Sequence, residues 1–470
     1  MTKNSILKPN RIDLTQGSPL KVIILFTIPL LVGNLFQQLY NVVDSYIVGN
    51  FVSDFALASV SSSASLISLL ISLFQGIAVG GGIVIAQYFG SKNNQRMHNS
   101  VHTLVGFGLI LGLIVTLIGV IFSPAILKLM NTPEDVLPIS TQYFTVYFCG
   151  SIFTIMYNIG SSILRAVGDS KRPLYYLIIA SLINVVLDLL FVAVFNFGVI
   201  GAAVATIISQ CVSMILTYIT LMKEDGPHKL IIKDIRFHKE ELFKIIAYGV
   251  PTGIQNSIIS LSNVFIQSNI NLFGTTVQTG CGTYQKIEGF ATMPSGSFSM
   301  SLSTYVGQNV GAGQYKRARK GALKGIALSL LTTEFIGVLL YIFAPQLVSM
   351  FTKTPEIIEV GVLQARTIVP FYFLLAYSHG MSGILRGFGK SKTPMFTLIT
   401  CWCLVRIIGI PIALKIPGLE HFQTIFYFYP LTWSLSFIVL TVAFIVTVVQ
   451  QKKKEKLKDE LNKTTILLGK

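Results

Sequence analysis

The chain has 470 residues, 52% of them hydrophobic and only 12% charged, with a net charge of +16. Soluble domains carry about 25% charged residues, so the composition excludes a soluble globular protein and points to a polytopic membrane protein. The basic balance invites a nucleic-acid partner, but the placement of the charges argues against one.

The first 20 residues are polar and include Lys3, Lys8 and Arg11. They hold no short apolar core followed by a small-residue cleavage site, so the first apolar stretch is expected to be retained. Twelve apolar segments follow, at approximately 20–50, 55–88, 99–122, 138–167, 173–196, 200–222, 241–272, 276–309, 319–343, 358–387, 394–415 and 424–449. They predict an all-α fold of twelve transmembrane helices. Several exceed the ~20 residues needed to span and must tilt, bend or protrude. Small residues inside them, as in Gly80-Gly81-Gly82 and Gly108-x-x-x-Gly112, allow close helix approach in lipid.

The first segment reads I-P-L-L-V-G-N-L-F-Q-Q-L-Y-N-V-V-D-S-Y-I-V-G from Ile28 to Gly49. It carries one carboxylate, Asp44, with Asn41 on the same helix face. A central Asp costs roughly 2.5–3.5 kcal/mol on an insertion scale, so an intramembrane acid marks a functional site by default. Pro29 removes a backbone hydrogen bond and can kink the helix, which makes it a candidate hinge. The fourth segment contributes Asn158 and the fifth Asn184 and Asp188, spaced i, i+4 on one face. Asp44 lies roughly 23 residues into its segment and Asp188 about 15 into its own. At a rise of 1.5 Å per residue both pass the inner half of the bilayer and can meet there.

A charged linker, 223–240, separates the halves. In the second half the polar residues inside apolar segments are Glu288 beside Lys286, Glu334, Tyr377 and Arg406. Glu288, Tyr377 and Arg406 form a second, less defined candidate site, whereas Glu334 reads as packing or a local hydrogen bond. The five cysteines, Cys401-x-Cys403 included, read as small buried hydrophobes without metal-ligand partners.

Placing the N-terminus inside puts 30 of the 36 Lys and Arg residues on inner connections. Only Lys128, Lys353, Arg366 and Lys415 fall on the outer side. This is the positive-inside bias, and it predicts cytoplasmic termini. It also accounts for the basic balance without nucleic acid. The tail Lys452-Lys453-Lys454-Glu455-Lys456 suits the anionic face of a cell membrane.

The halves repeat. I-L-R-A-V-G-D-S-K-R-P from Ile163 matches I-L-R-G-F-G-K-S-K-T-P from Ile384, and Thr132-Pro133-Glu134 matches Thr354-Pro355-Glu356. Pro29 and Asn41 match Pro251 and Asn263. Six spans per half keep both halves in one orientation, a parallel repeat about the membrane normal. The domains expected are an N-lobe at 1–222, a C-lobe at 241–449 and a tail at 450–470. Gly168 and Gly389 suit helix C-termini, and Pro173 and Pro394 suit the first turns that follow.

Asp44 and Asp188 with Asn158 and Asn184 form a hard-oxygen set suited to a proton or Na⁺. Burial and mutual repulsion make the carboxyls exchange protons as a unit.

At these residues the sequence resembles the multidrug and toxic compound extrusion (MATE) family. The likeness covers twelve spans, two six-helix lobes, the L-R-x-x-G-x-S-K-x-P turns, and Y-N-V-V-D-S-Y-I-V-G, which is similar to the DinF-like branch. The resemblance implies a V-shaped transporter exchanging organic cations or amphipathic drugs for external H⁺ or Na⁺. It implies a polar site on Asp44, Asn158, Asn184 and Asp188, with Pro29 as the first-span proline. K-I-E-G-F-A-T-M-P around Glu288 is also similar to that branch. The chain departs from the branch that uses acids on the seventh and tenth spans, although Tyr377 remains on the tenth.

The reading is therefore a cation-coupled exporter working by alternating access in the cell membrane. Tyr40, Met293, Met300 and Tyr377 are candidate drug contacts. A monomer in contact with lipid is expected, with no cofactor beyond the coupling ion. A lipid-linked saccharide flippase is the alternative. The chain holds no H-E-x-x-H, no G-x-S-x-G and no nucleotide-binding P-loop, which argues against an enzyme or an ATP-driven pump.

Overall fold

The computed structural model describes residues 11–51, 54–129, 134 and 137–468. The Asn41 side chain and Thr132-Pro133 lie outside the described residues. Among the described residues all regular structure is helical. The first half runs α1 (Pro19–Phe51), α2 (Asp54–Gly90), α3 (Asn94–Leu129), α4 (Leu137–Cys149), α5 (Ser151–Ala166), α6 (Lys171–Asp188) and α7 (Gly198–Lys223). The second runs α8 (Lys239–Asn271), α9 (Thr275–Gly311), α10 (Tyr315–Ser349), α11 (Pro355–Ile368), α12 (Tyr372–Gly387), α13 (Lys392–Leu398), α14 (Val405–Ala413) and α15 (Phe422–Leu468). A π-helical turn, Leu189–Val194, continues α6, and another, Ile399–Leu404, joins α13 to α14.

Joining α4 to α5, α11 to α12 and α13 to α14 leaves twelve helical stretches, six in each half. Nine helices among the described residues are long and apolar enough to cross a membrane, ten with α4 and α5, which bend by 45°. The other two stretches are α8 and α9. Both are long enough, at 33 and 37 residues, but polar. Gln255, Ser262 and Asn269 of α8 and Ser295, Ser297, Ser299, Ser301 and Ser303 of α9 are buried against protein. Faces buried against other helices need no apolar surface toward lipid, and where α8 is exposed it shows Leu261 and Val264. The lipid-facing helices show Leu113, Ile121, Leu182, Leu331 and Phe335 more than 40% exposed. This is a multi-pass membrane protein.

Helix ends follow local chemistry. Gly168 and Gly389 take positive φ, +92° and +79°. The amides of Asp169 and Lys390 then bond back to Leu164 O and Leu385 O, each at 2.9 Å. Glycine adopts this left-handed conformation without a Cβ penalty, so the repeated L-R-x-x-G pattern builds the same turn twice. Asp169 Oδ1 then accepts the amides of Lys171 and Arg172 at 3.1 Å and caps α6.

The halves meet closely at the end that carries the basic loops. A Cβ on Gly76 would sit 2.1 Å from Gly253 N, and one on Gly80 2.3 Å from Gly249 N. Only glycine lets the α2 and α8 backbones touch there. The segment before α1 ties the halves together at the same end. Ile12 N–H donates to Gly168 O at 3.0 Å and Leu14 N–H to Gln308 Oε1 at 3.2 Å. Arg317 donates to the carbonyls of Leu14, Gln16 and Gly17. Val22, Ile23, Phe26 and Leu30 of α1 pack into the second half's core, whereas Ile245 of α8 packs into the first half's.

The linker is pinned rather than loose. His102 Nδ1 bonds to His98 O at 2.8 Å, which fixes the tautomer so that Nε2 accepts the Ile231 amide at 3.0 Å. Arg11 and Arg172 pair with Glu224, and His228 Nε2 lies 2.9 Å from the same carboxylate.

Candidate functional site

A cavity of about 650 Å³ opens inside the first half. Its long wall is one stripe of α1: Leu30, Gly33, Asn34, Gln37, Tyr40 and Asp44. These recur at three- and four-residue steps, the spacing of a single helix face. α5 supplies Thr154, Asn158 and Arg165, again one face, and α6 supplies Pro173, Leu174 and Leu177. Gly33 sits level with Leu174 and Leu177, whose methyls lie 3.6 Å from where its Cβ would be. α1 and α6 rise in parallel from that level. Asp44 and Asp188 come eleven residues further on in each, counting from Leu177, so the two acids reach one depth.

The structure brings them together. The carboxyls of Asp44 and Asp188 face each other at close range. Two carboxylates are acceptors only, so a hydrogen bond between them would take one shared proton. Asp188 is fully buried and Asn184 is 1% exposed. With the Asn184 amide oriented by its neighbours, Nδ2 donates to Asp188 Oδ2 at 2.7 Å and Oδ1 accepts the Thr206 amide at 3.2 Å. Asp44 Oδ1 and Asp188 Oδ1 are buried without a protein partner. Each such atom costs about 1–3 kcal/mol of lost solvation. The pair therefore offers orphan oxygens to a hard cation, or a shared proton site, at the head of a cavity.

Asn158 lines the same cavity and anchors itself through Nδ2 to Thr154 O at 2.8 Å. Pro29 lies at the opposite end of the α1 stripe, inside an unbroken helix. Tyr40 lines the acid end and its hydroxyl lies 3.3 Å from Thr206 Oγ1. Met300 reaches the cavity from α9. Asn34 Nδ2 donates to Ser297 Oγ at 2.9 Å, a further link between the halves.

In the second half, Glu288 faces the Tyr372 hydroxyl, which lies 2.7 Å from that of Tyr284. Arg406 is 2% exposed, donates through Nε to Thr432 Oγ1 at 3.0 Å, and stacks 4.5 Å over the Tyr429 ring. Its charge faces that of Glu288 without a direct ion pair among the described residues. Tyr377 is elsewhere, with its hydroxyl 2.6 Å from Thr441 Oγ1 and its ring against Phe437. Lys286 stays exposed, 5.6 Å over the Phe351 ring. Glu334 accepts the Phe373 amide at 3.0 Å.

Several residues escape sequence reasoning. Tyr143 and Tyr147 wall the acid end, and Gln37, Gln75 and Gln210 line the cavity. The i, i+4 spacing of Tyr143 and Tyr147 was the available signal. Arg165 reads as a loop charge in the sequence, yet its guanidinium lines the cavity from the last turn of α5.

Comparison with known proteins follows the same division. A family model described as MatE matches twice, at residues 29–190 and 251–412, displaced by 222 residues. The probable multidrug resistance protein YpnP of Bacillus subtilis is 30% identical over 83% of this chain and 88% of its own length. The probable multidrug resistance protein YoeA of the same organism is 29% identical over 88% and 91%. A solved structure described as the outward-facing conformation of a multidrug resistance MATE family transporter superposes with a TM-score of 0.87 at 22% identity. It covers 94% of this chain and 99% of that one.

Proposed function

The chain belongs to the MatE family, and from that premise we propose that it is a multidrug exporter that trades organic cations or amphipathic drugs for a cation held by Asp44 and Asp188. The observation that carries this is the facing pair of acids, each with a buried unpartnered oxygen, at the head of a cavity of about 650 Å³ walled by tyrosines. Aromatic and apolar walls accept varied drugs, and the carboxyls select positive charge or hydrogen-bond donors.

Coupling follows from charge. With a proton shared, Asp44 and Asp188 attract and draw α1 toward α6. With both ionised they repel, and α1 is free to bend at Pro29. An ion that favours the closed arrangement shifts the equilibrium by its differential affinity, and by nothing else. Drug and ion compete for one cavity, so loading one releases the other. The close pairing of two carboxyls favours H⁺ as the coupling ion, because one shared proton relieves their repulsion. Na⁺ is the second reading, supported by the orphan oxygens. Asp44 and Asp188, with Asn184 and Asn158 near, would hold it as a hard-oxygen set. The basic end faces the cytoplasm and both termini lie there. The transporter works as a monomer with its exposed apolar band in lipid, and it performs transport rather than catalysis.

The test uses purified protein in proteoliposomes. Efflux of a fluorescent organic cation is followed under a pH gradient alone, then a Na⁺ gradient alone, with Asp44→Asn beside wild type. Export driven by the pH gradient and lost in the variant is expected. Transport indifferent to both gradients would overturn the reading.

A further inference from the structure

The cavity has a second charged end. Arg165 lines it from the last turn of α5, on the same face as Thr154 and Asn158. Among the described residues Arg165 makes no ion pair. Two carboxylates at this end of the first half are already taken. Asp169 serves Arg172 and the α6 amides. Glu224 serves Arg11, Arg172 and His228. The hydroxyl of Ser170 lines the same end, 2% exposed and without a hydrogen-bond partner.

The repeat supplies an internal control. Arg386 holds the equivalent position in the second half. It is 8% exposed, and its Nη2 donates to Ser299 Oγ at 2.9 Å on α9. The same motif therefore buries one guanidinium against a helix and turns the other toward a cavity. A half-buried arginine on a cavity wall, with neither acid nor helix to satisfy it, is suited to an external oxyanion.

We infer that the cavity is an amphoteric binding site. Arg165 and Ser170 form an oxyanion-recognising end opposite the acid pair, so preferred substrates carry a carboxylate or phosphate as well as a cationic or hydrogen-bond-donating group. This rests on the cavity being the transport site. The dimensions constrain the substrate further. The 18 residues of α6 from Lys171 to Asp188 rise roughly 27 Å. Side chains reaching inward leave the charged ends on the order of 20 Å apart. The favoured molecule is long, with its charges at opposite ends.

Competition binding tests it. Purified transporter in detergent is loaded with rhodamine 6G, and displacement is read by fluorescence polarisation. The competitors are 12-aminododecanoate and its methyl ester, which share an ammonium and differ in the carboxylate. Wild type should release dye at a concentration of acid at least tenfold lower than of ester. In Arg165→Gln that ratio should fall to near one, and in Arg165→Lys it should stay above threefold. Ser170→Ala should lower it about threefold. A ratio near one in wild type overturns the inference whether or not any variant folds, and so does a tenfold ratio that survives Arg165→Gln. If Asp44→Asn weakens the dye but the acid holds no advantage in wild type, only this inference falls. If the dye fails to bind, or binds wild type and Asp44→Asn alike, the transport-site reading falls and takes the inference with it.

Discussion

In the first half, Asp44 and Asp188 meet at the edge of open space, each with an oxygen that no protein group satisfies. In the second, Glu288 and Arg406 sit among Tyr284, Tyr372, Tyr429 and Trp402, and Arg406 donates to the Thr432 hydroxyl. Two halves of one repeat thus make opposite uses of buried charge, with residues that the repeat does not align. The first half keeps like charges together beside a cavity, where they can exchange an ion. The second balances unlike charges inside packed rings, where exchange would leave one of them alone. A buried charge performs transport only if its neutralising partner can leave.

The largest expected effect tests that rule directly. Asp44→Asn should cut cation-coupled efflux by about 100-fold or more, equivalent to ~2.7 kcal/mol, while the protein still inserts and purifies. Glu288→Gln, measured in the same proteoliposomes, should stay within about threefold of wild type. Comparable losses at both positions would break the comparison and make the second half a partner in coupling.

Stability should show the reverse order. Arg406→Ala removes the countercharge of Glu288, the donor to Thr432 and the cation beneath Tyr429. Breaking a buried charge arrangement from one side costs about 3–5 kcal/mol. A large fall in thermal midpoint is expected, and Glu288→Gln added to Arg406→Ala should restore part of it. Strictly additive losses would show that the two charges do not interact.

The repeat and the twelve segments were legible because apolar length and turn chemistry are local. Ile163–Pro173 and Ile384–Pro394 spell the same glycine-ended turn, and both turns form. Helices α8 and α9 were found by apolar residues between turns, although their polar content falls below a membrane criterion applied alone. The depth match of Asp44 and Asp188 followed from helical rise. What the sequence could not show is which face of a helix meets empty space. Arg165 and Arg386 are identical in local pattern and differ only in what packs opposite them. Tyr372 and Tyr377 share a helix, yet only Tyr372 turns to Glu288. Tyr143 and Tyr147 come from α4, which bends by 45° from α5, and the sequence does not show where that bend aims them.

A third acid, outside the spans, sharpens the contrast. Burial opposes ionisation of Glu224, but the hydrogen bond from His228 and the guanidiniums of Arg11 and Arg172 outweigh it and hold the carboxyl at about 2, below its ordinary 4.5. A folded value below the unfolded one stabilises the protein above pH 4.5 and loses that stabilisation as pH falls toward 2. Glu224→Gln should therefore lower the thermal midpoint by a few degrees at neutral pH. The gap from wild type should narrow steadily below about pH 5. A gap independent of pH would mean that the clasp acts through shape rather than charge.

The smallest effect is expected at Tyr377. Its hydroxyl binds Thr441 and its ring rests on Phe437, 4.3 Å between centroids. Tyr377→Phe keeps the ring contact and loses one neutral hydrogen bond, about 1 kcal/mol. Thr441 Oγ1 keeps its bond to Phe437 O at 2.6 Å, so no orphan donor remains. Thermal midpoint should fall slightly and efflux of a fluorescent cation should be unchanged. A selective loss of efflux at wild-type stability would place Tyr377 on the drug's route. Substrate would then touch the second half away from its packed charges, and the division of labour between the halves would concern ions alone.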